Sequence, residues 1–131
     1  MLTLKPGEHG STFGGNPLAC VVAIAAMNVI LDEKLVDRAA KLGEVFRKEL
    51  KAIHSPHIEL VRGKGLLNAA VITPYEKNGE SYTAKEVCYE MAEHGLLAKQ
   101  THKHIIRFAP PLVITESELE RGLKIIKKVL S

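Results

Sequence analysis

Two parts of the sequence are the main candidates for binding an anion, and the first precedes a helix. The segment Gly10-Ser11-Thr12-Phe13-Gly14-Gly15 is followed by Asn16 and Pro17, which are residue types that begin helices. Hydroxyls beside a helix N-terminus suit an anion, above all a phosphate, because free amides and the helix dipole favour negative charge there. The spacing matches neither a Walker loop nor Gly-x-Gly-x-x-Gly. A glycine-rich interdomain turn is therefore an equally supported interpretation.

The second part is Arg107, which lies in the apolar run Ile105-Ile106-Arg107-Phe108. A buried guanidinium needs an anionic partner, and its planar fork matches the two oxygens of a carboxylate. Arg107 is therefore a candidate for binding a substrate carboxylate. An internal ion pair or an exposed strand edge would explain the same pattern.

Two weaker candidates consist of charged or metal-ligating residues in polar segments. Arg62-Gly63-Lys64-Gly65 could hold an anion, although a solvated hairpin turn explains this composition better. His102 and His104 could suggest a metal, but no further ligands stand at a recognisable spacing. The sequence predicts no metal site, and nothing in it identifies a nucleophile.

Composition excludes several classes of protein. The 131 residues, 46% of them apolar, form one ordinary domain that needs no disulfides or metals. The net charge of +3 is spread along the chain, and six aromatic residues without Trp offer no stacking platform, so nucleic acid is not an expected partner. Cys20 and Cys88 lie among apolar neighbours, so we expect buried free thiols in an intracellular protein.

The first predicted helix begins at Pro17 and ends near Asp32. Its segment from Leu18 to Met27 has no polar side chain, and it is too short to span a bilayer. A helix that is apolar on every side is normally enclosed on every side. We therefore expect it to pack against a partner domain or subunit outside this chain, which would be part of a longer protein.

The remaining pattern predicts a small sheet covered by helices, an α/β sandwich. Two later helices are expected to begin at capping boxes, and another is expected to follow the first helix directly. The predicted elements are a helix ending near Ile53, strands at 58–61 and 66–73 joined by a tight connection at 62–65, a polar loop at 74–79, a helix from Thr83 to Gly95, strands at 96–99 and 105–108, and a last helix from Thr115.

Several of these strings together resemble one family, the class III, fold type I aminotransferases that use pyridoxal 5'-phosphate. Their order and spacing over the whole chain are specific to that family, although each is weak alone. The resemblance covers all 131 residues but only about the last third of a family member. The strings are KPGEHGSTFGGNPL from Lys5, RGKGLLNA from Arg62, GLLAK from Gly95 and IIRFAPPL from Ile105.

The resemblance implies where this chain would sit in a family member and what its residues would do. Residues 1–31 would be the end of the large domain and an interdomain helix, and residues 32–131 the C-terminal small domain. Ser11 and Thr12 would bind the cofactor phosphate of the other subunit in a homodimer, and Arg107 would bind a substrate carboxylate. The family's cofactor lysine would lie upstream, so the fragment alone would contain no catalytic residue and be inactive.

Within the family, the likeness is greatest to members that move the delta-amino group of ornithine to 2-oxoglutarate, giving glutamate semialdehyde and glutamate. Members acting on acetylornithine or 4-aminobutyrate are the alternative, because they share the arginine and the Gly-Ser-Thr loop. A non-catalytic binding or interaction module is the alternative of another class. Amino acids and oxo acids are the expected partners, without nucleic acid or membrane, in the cytoplasm or mitochondrial matrix.

Overall fold

The computed structural model describes residues 3, 5 and 7–131. Met1, Leu2, Leu4 and Pro6 belong to the expected segment 1–31 and lie outside the described residues. The chain divides into two compact units between Lys34 and Leu35, and each unit is described by itself.

The N-terminal unit contains one helix, α1 (Pro17–Asp32), and the glycine-rich segment before it. The predicted start is confirmed: Asn16 is the N-cap, its Oδ1 accepts a hydrogen bond from the Ala19 amide at 2.9 Å, and Pro17 is the first helical residue. Beyond the helix, the Lys34 amide donates to the Leu31 carbonyl at 3.1 Å, and Lys34 has a φ of 51°.

α1 buries none of its residues in this chain, although it is apolar around its whole circumference. Leu18 is 75% exposed and Leu31 is 66% exposed. Cys20 is also exposed, so the expectation that both cysteines are buried is wrong for Cys20 and confirmed for Cys88. The physical reason is that Cys20 lies on the unpacked α1, whereas Cys88 lies on a helix that packs against the core.

The C-terminal unit contains three helices, and hydrophobic periodicity and capping predicted all of them. They are α2 (Leu35–Lys51), α3 (Ala84–Glu93) and α4 (Glu116–Leu130). Complete capping boxes begin α3, with Thr83 and Glu86, and α4, with Thr115 and Glu118. Gly95, at a φ of 86°, follows the end of α3 in the left-handed region that glycine adopts without strain.

The described residues include the strands β1 (Ile58–Lys64), β2 (Leu67–Ile72), β3 (Tyr75–Lys77), β4 (Glu80–Tyr82), β5 (Lys99–Thr101) and β6 (Ile105–Phe108). Four of them form one antiparallel sheet in the order β1-β2-β6-β5. The small hairpin of β3 and β4 is separate from it. Side chains on the inner face of the sheet join the apolar faces of α2, α3 and α4 in one core, which contains Phe46, Ile106 and Ile126. The predicted α/β sandwich is confirmed.

Three predictions of local structure were wrong. Arg62, Gly63 and Lys64 belong to β1, and the β1–β2 connection is only Gly65 and Leu66, because Gly65 adopts a φ of 53° that allows a tight turn. The segment 74–79 is not a loop, since it includes β3 and the turn to β4, where Tyr75 stacks on His57. The strand expected at 96–99 begins only at Lys99, after the residues that leave α3.

Each helix in the described part of the chain lacks the length or the apolar character that a membrane span requires. In the same part of the chain, no group of three His, Cys, Asp or Glu side chains lies close enough together to hold a metal ion.

Candidate functional site

Arg107 lies on the outer face of the sheet, and its side chain is exposed. Its neighbours on β6, Ile106 and Phe108, point inward and are buried. β6 is an inner strand, paired with β2 on one side and β5 on the other. Arg107 is therefore neither a buried charge nor a strand-edge residue, because the alternation of the pleat turns it out of the core.

Strand register places Arg107 in a row of side chains that crosses the sheet. Arg62 pairs with Ala69, Ala69 pairs with Arg107, and Arg107 pairs with Lys99. Directly opposite residues of antiparallel strands project to the same face. Three exposed cations thus share one row, with the small Ala69 between Arg62 and Arg107. We call these four residues the cationic row.

The surroundings of the cationic row provide little negative charge. β2, β5 and β6 contain no acidic residue, and Glu59 in β1 lies at the register irregularity near the end of that strand. The ion pair found among the described residues joins Lys77 to Glu90, away from this face. Arg62, Ala69 and Arg107 of the row line an open concavity together with Lys64, Thr101 and His102, whereas Lys99 is not among its lining residues. This face can therefore accept a carboxylate from outside the described chain.

A buried amide fixes the hairpin that contributes half of this row. Asn68 is 2% exposed, accepts a hydrogen bond from Arg47 Nη1 at 2.8 Å, and donates to the Gly65 carbonyl at 3.1 Å. Arg47 also donates to the Gly65 carbonyl at 3.0 Å. The next residue along β2 is Ala69, so this network on the inner face holds the hairpin that carries the row against α2. Sequence reasoning missed this contact, because Arg47 lies in α2 and Asn68 in β2. The sequence pattern of neither element reveals which residue its polar side chain will meet.

Two glycines allow this close packing. A Cβ on Gly43 of α2 would lie 1.8 Å from the Gly65 carbonyl oxygen, and a Cβ on Gly63 would lie 2.3 Å from Asn68 Oδ1. Separations below 3.0 Å do not occur in real structures without movement of one partner. The hairpin therefore packs against α2 through bare backbone at Gly43, and Asn68 lies across Gly63.

The segment after β6 is attached to α2 by one side chain. Arg38 donates to the Leu112 carbonyl at 2.9 Å and to the Ile114 carbonyl. Pro110 and Pro111 lie between β6 and these carbonyls. The segment that follows β6 is therefore restrained by the fixed φ angles of two prolines and by the hydrogen bonds from Arg38. Arg38 was also missed by sequence reasoning.

The second candidate site is the loop before α1, where Ser11 and Thr12 are both exposed. Gly15 adopts a φ of 75°, and Asn16 Nδ2 donates to the Phe13 carbonyl at 2.6 Å, so the turn into the helix is well defined. The donor chemistry fits a phosphate group, because both hydroxyls are exposed and able to donate.

The helix end itself contributes less to this site than a free N-terminus would. Pro17 has no N–H, the Ala19 amide donates to Asn16 Oδ1, and the Cys20 amide donates to the Asn16 carbonyl at 3.1 Å. Of the first-turn amides, that of Leu18 is the one for which the described residues provide no acceptor. An anion at this loop would therefore be held mainly by the hydroxyls.

The other side chains considered from sequence have structural roles or stay in solvent. His102 and His104 lie in the turn between β5 and β6, and both are exposed. Burial raises the pKa of the Cys88 thiol, which keeps it protonated and unreactive. Cys88 is therefore not a candidate nucleophile.

The family of this chain follows from a comparison with known proteins. The family model described as aminotransferase class III matches residues 1–130. The chain therefore belongs to the class III aminotransferases, as its motifs indicated.

The similar curated proteins include ornithine aminotransferases from several organisms. An ornithine aminotransferase from Emericella nidulans is 58% identical over 131 residues, which are 100% of this chain and 28% of that protein. Relatives from Rattus norvegicus and Drosophila melanogaster carry the name ornithine aminotransferase, mitochondrial. The chain spans about three tenths of the length of the relatives it matches.

Solved structures give the same picture of the fold. An acetylornithine aminotransferase from Elizabethkingia anophelis superposes with a TM-score of 0.82 at 55% identity, covering 97% of this chain and 33% of that one. An ornithine aminotransferase from Toxoplasma gondii has a TM-score of 0.82 at 45% identity, covering 97% of this chain and 29% of that one, and PLP partially occupies the active site of that protein. The fold is that of part of a fold type I aminotransferase.

Proposed function

We propose that this chain is the C-terminal part of a pyridoxal-phosphate-dependent ornithine aminotransferase. Such an enzyme moves the delta-amino group of ornithine to 2-oxoglutarate and forms glutamate semialdehyde and glutamate. The observation that carries the proposal is the exposed Arg107, which faces out of the sheet with no acidic partner among the described residues. Its guanidinium is free to bind the carboxylate of an amino acid or an oxo acid. The 58% identity to an ornithine aminotransferase supports ornithine as the amino donor.

Ser11 and Thr12 would act on the cofactor rather than on the substrate. Their exposed hydroxyls would donate to the cofactor phosphate bound by the other subunit of a homodimer. When bound, pyridoxal phosphate supplies an electron sink for the carbon that loses its proton. The residues of this chain hold the phosphate and the substrate carboxylate, and their contribution is binding and orientation.

We assign the two parts of the chain to the two domains expected from the sequence. Residues 1–31 would belong to the end of the large domain and to the interdomain helix, and residues 32–131 to the small domain. The lysine that carries the cofactor would lie in the part of the enzyme that this chain does not span. We therefore expect the isolated chain to have no transaminase activity. An intracellular location, in the cytoplasm or mitochondrial matrix, accompanies this proposal.

The test is a single-turnover absorbance measurement on a full-length enzyme that contains this chain and is loaded with pyridoxal phosphate. Rapid conversion of the cofactor to its amino form with ornithine, but not with acetylornithine or 4-aminobutyrate, is the expected result. Conversion with another amine alone would keep the class and change the donor. Absence of conversion with all three would favour a non-catalytic binding module.

Arg107 is tested in the same enzyme by separating the two half-reactions. Replacing Arg107 with Ala removes charge-assisted hydrogen bonds worth about 1.5–3 kcal/mol, which corresponds to roughly tenfold to hundredfold. We expect this loss in the 2-oxoglutarate half-reaction, with a smaller loss in the ornithine half-reaction. Arg107→Lys is the matched variant, which keeps the charge and loses the fork. Equal losses in both half-reactions would show that Arg107 is structural.

Acetylornithine is the second candidate donor. The solved acetylornithine aminotransferase that is 55% identical to this chain supports it, and both the arginine and the Gly-Ser-Thr loop serve either activity. The three-donor experiment distinguishes the two.

A further inference from the structure

Lys99 is the residue of the cationic row that stands directly opposite Arg107. The two are register partners in the antiparallel β5–β6 pair, and both side chains are exposed on the outer face. Opposite Cβ atoms in such a pair are about 4.5–5.5 Å apart. Arg62, by contrast, lies two strands from Arg107, at about 10 Å. Among the cations of the row, Lys99 is therefore the nearest to Arg107 across the sheet.

This pairing is unfavourable unless an anion completes it. Like charges directly opposite each other destabilise a sheet, and β2, β5 and β6 provide no carboxylate to relieve the repulsion. A guanidinium binds a carboxylate as a planar fork, whereas an ammonium acts as a mobile point charge with three donors. The two side chains can therefore hold one carboxylate from different directions.

We propose that Lys99 is a specificity-determining residue that binds the substrate carboxylate together with Arg107 and favours the dicarboxylate substrate. This inference rests on the proposed function. A dicarboxylate such as 2-oxoglutarate carries two negative charges, whereas ornithine carries one carboxylate and two ammonium groups. A second cation beside Arg107 attracts the former and disfavours the latter. Lys99 therefore raises affinity in one half-reaction without a matching gain in the other.

The experiment compares Lys99→Gln with Lys103→Gln in the full-length, cofactor-loaded enzyme. Lys103 is the matched control, because it is an exposed lysine of the same hairpin that lies in the turn, outside the row. We expect Lys99→Gln to raise the KM for 2-oxoglutarate about fivefold, while the KM for ornithine stays constant or falls. Lys99→Arg should restore most of the loss, and Lys103→Gln should match the parent enzyme.

A binding measurement without turnover keeps this inference separate from the proposed function. Glutarate is a non-reacting dicarboxylate whose affinity can be measured by titration calorimetry, with butyrate as the monocarboxylate comparison. Glutarate binding that weakens about fivefold in Lys99→Gln would support the inference even in a protein that does not use ornithine.

Two outcomes would overturn the inference while the proposed function stands. One is unchanged affinity for both glutarate and 2-oxoglutarate in Lys99→Gln, in an enzyme that turns over ornithine. The other is a loss confined to the ornithine half-reaction, which would show that Lys99 acts on the amino donor and not on the dicarboxylate.

Discussion

Gly43→Ala tests how the hairpin under the cationic row is held against α2. An alanine Cβ at this position would lie 1.8 Å from the Gly65 carbonyl oxygen and 2.3 Å from its carbonyl carbon. An ordinary contact begins at 3.4 Å, so the helix and the hairpin would have to separate by about 1.6 Å. That movement would also stretch the hydrogen bond of 3.0 Å from Arg47 to the same carbonyl.

The expected cost follows from two opposing contributions. Alanine is favoured over glycine within a helix by about 1 kcal/mol. Overpacking against backbone costs about 1–3 kcal/mol or more, and weakening the Arg47 and Asn68 hydrogen bonds adds about 1 kcal/mol. We therefore expect a net destabilisation of about 1–3 kcal/mol. This corresponds to a fall in Tm of very roughly 5–20 °C for a unit of this size.

The chain contains its own control in Gly122 of α4. The same substitution there places a Cβ 3.7 Å from Leu96 Cδ1, which is an ordinary contact. Gly122→Ala should therefore be neutral or stabilising by up to about 1 kcal/mol. Both variants are measured by urea unfolding followed by far-ultraviolet circular dichroism. A Gly43→Ala protein as stable as Gly122→Ala would refute the close packing of α2 on the hairpin.

Three further predictions concern the loop, the caps and α1. Thr12→Ala should weaken cofactor retention in the full-length enzyme about tenfold or more, since it removes a hydrogen bond to the cofactor phosphate. Thr12→Ser should keep that hydrogen bond and the affinity for the cofactor. Unchanged cofactor affinity in Thr12→Ala would exclude Thr12 as a phosphate-binding residue. Hydrogen bonds from the Thr115 hydroxyl and backbone lower the pKa of Glu118, so this cap stabilises the fold above the ordinary pKa of 4.5 and is lost as the pH falls through the lowered value. Glu118→Gln should therefore flatten the acid side of a plot of unfolding midpoint against pH, and an unchanged slope would contradict this. The isolated chain should self-associate through the exposed apolar surface of α1, as measured by sedimentation velocity. Val21→Glu should reduce this self-association. A monomeric chain that binds no hydrophobic dye would contradict the prediction.

The helices could be predicted from sequence because their signals are local. Asn16 with Pro17, Thr83 with Glu86, and Thr115 with Glu118 each lie within four residues, and each forms the expected cap. The hairpin connection was placed wrongly for the opposite reason. Arg62-Gly63-Lys64 has the composition of a turn, but its strand state depends on pairing with β2 and on contact with α2.

The cationic row could not be predicted, because strand register alone creates it. Arg62, Lys99 and Arg107 lie on three strands, separated by up to 45 positions in the sequence. A slip of one residue would turn Arg62 toward the core, so the row requires a register fixed by something other than the charges. The sequence identified Arg107 as a candidate and supplied no reason to place Lys99 beside it.

A buried hydrogen-bond network around Asn68 fixes this register. Asn68 pairs with Gly63 on one side and with Phe108 on the other, and its amide is held by Arg47 and Gly65. A slipped β2 would place an apolar side chain where this amide lies and remove one of the two acceptors of the Arg47 guanidinium, which costs about 1–3 kcal/mol. The buried network therefore makes one register preferable, and that register aligns Ala69 between Arg62 and Arg107. The geometry of the proposed carboxylate site thus depends on a polar contact on the opposite face of the same sheet.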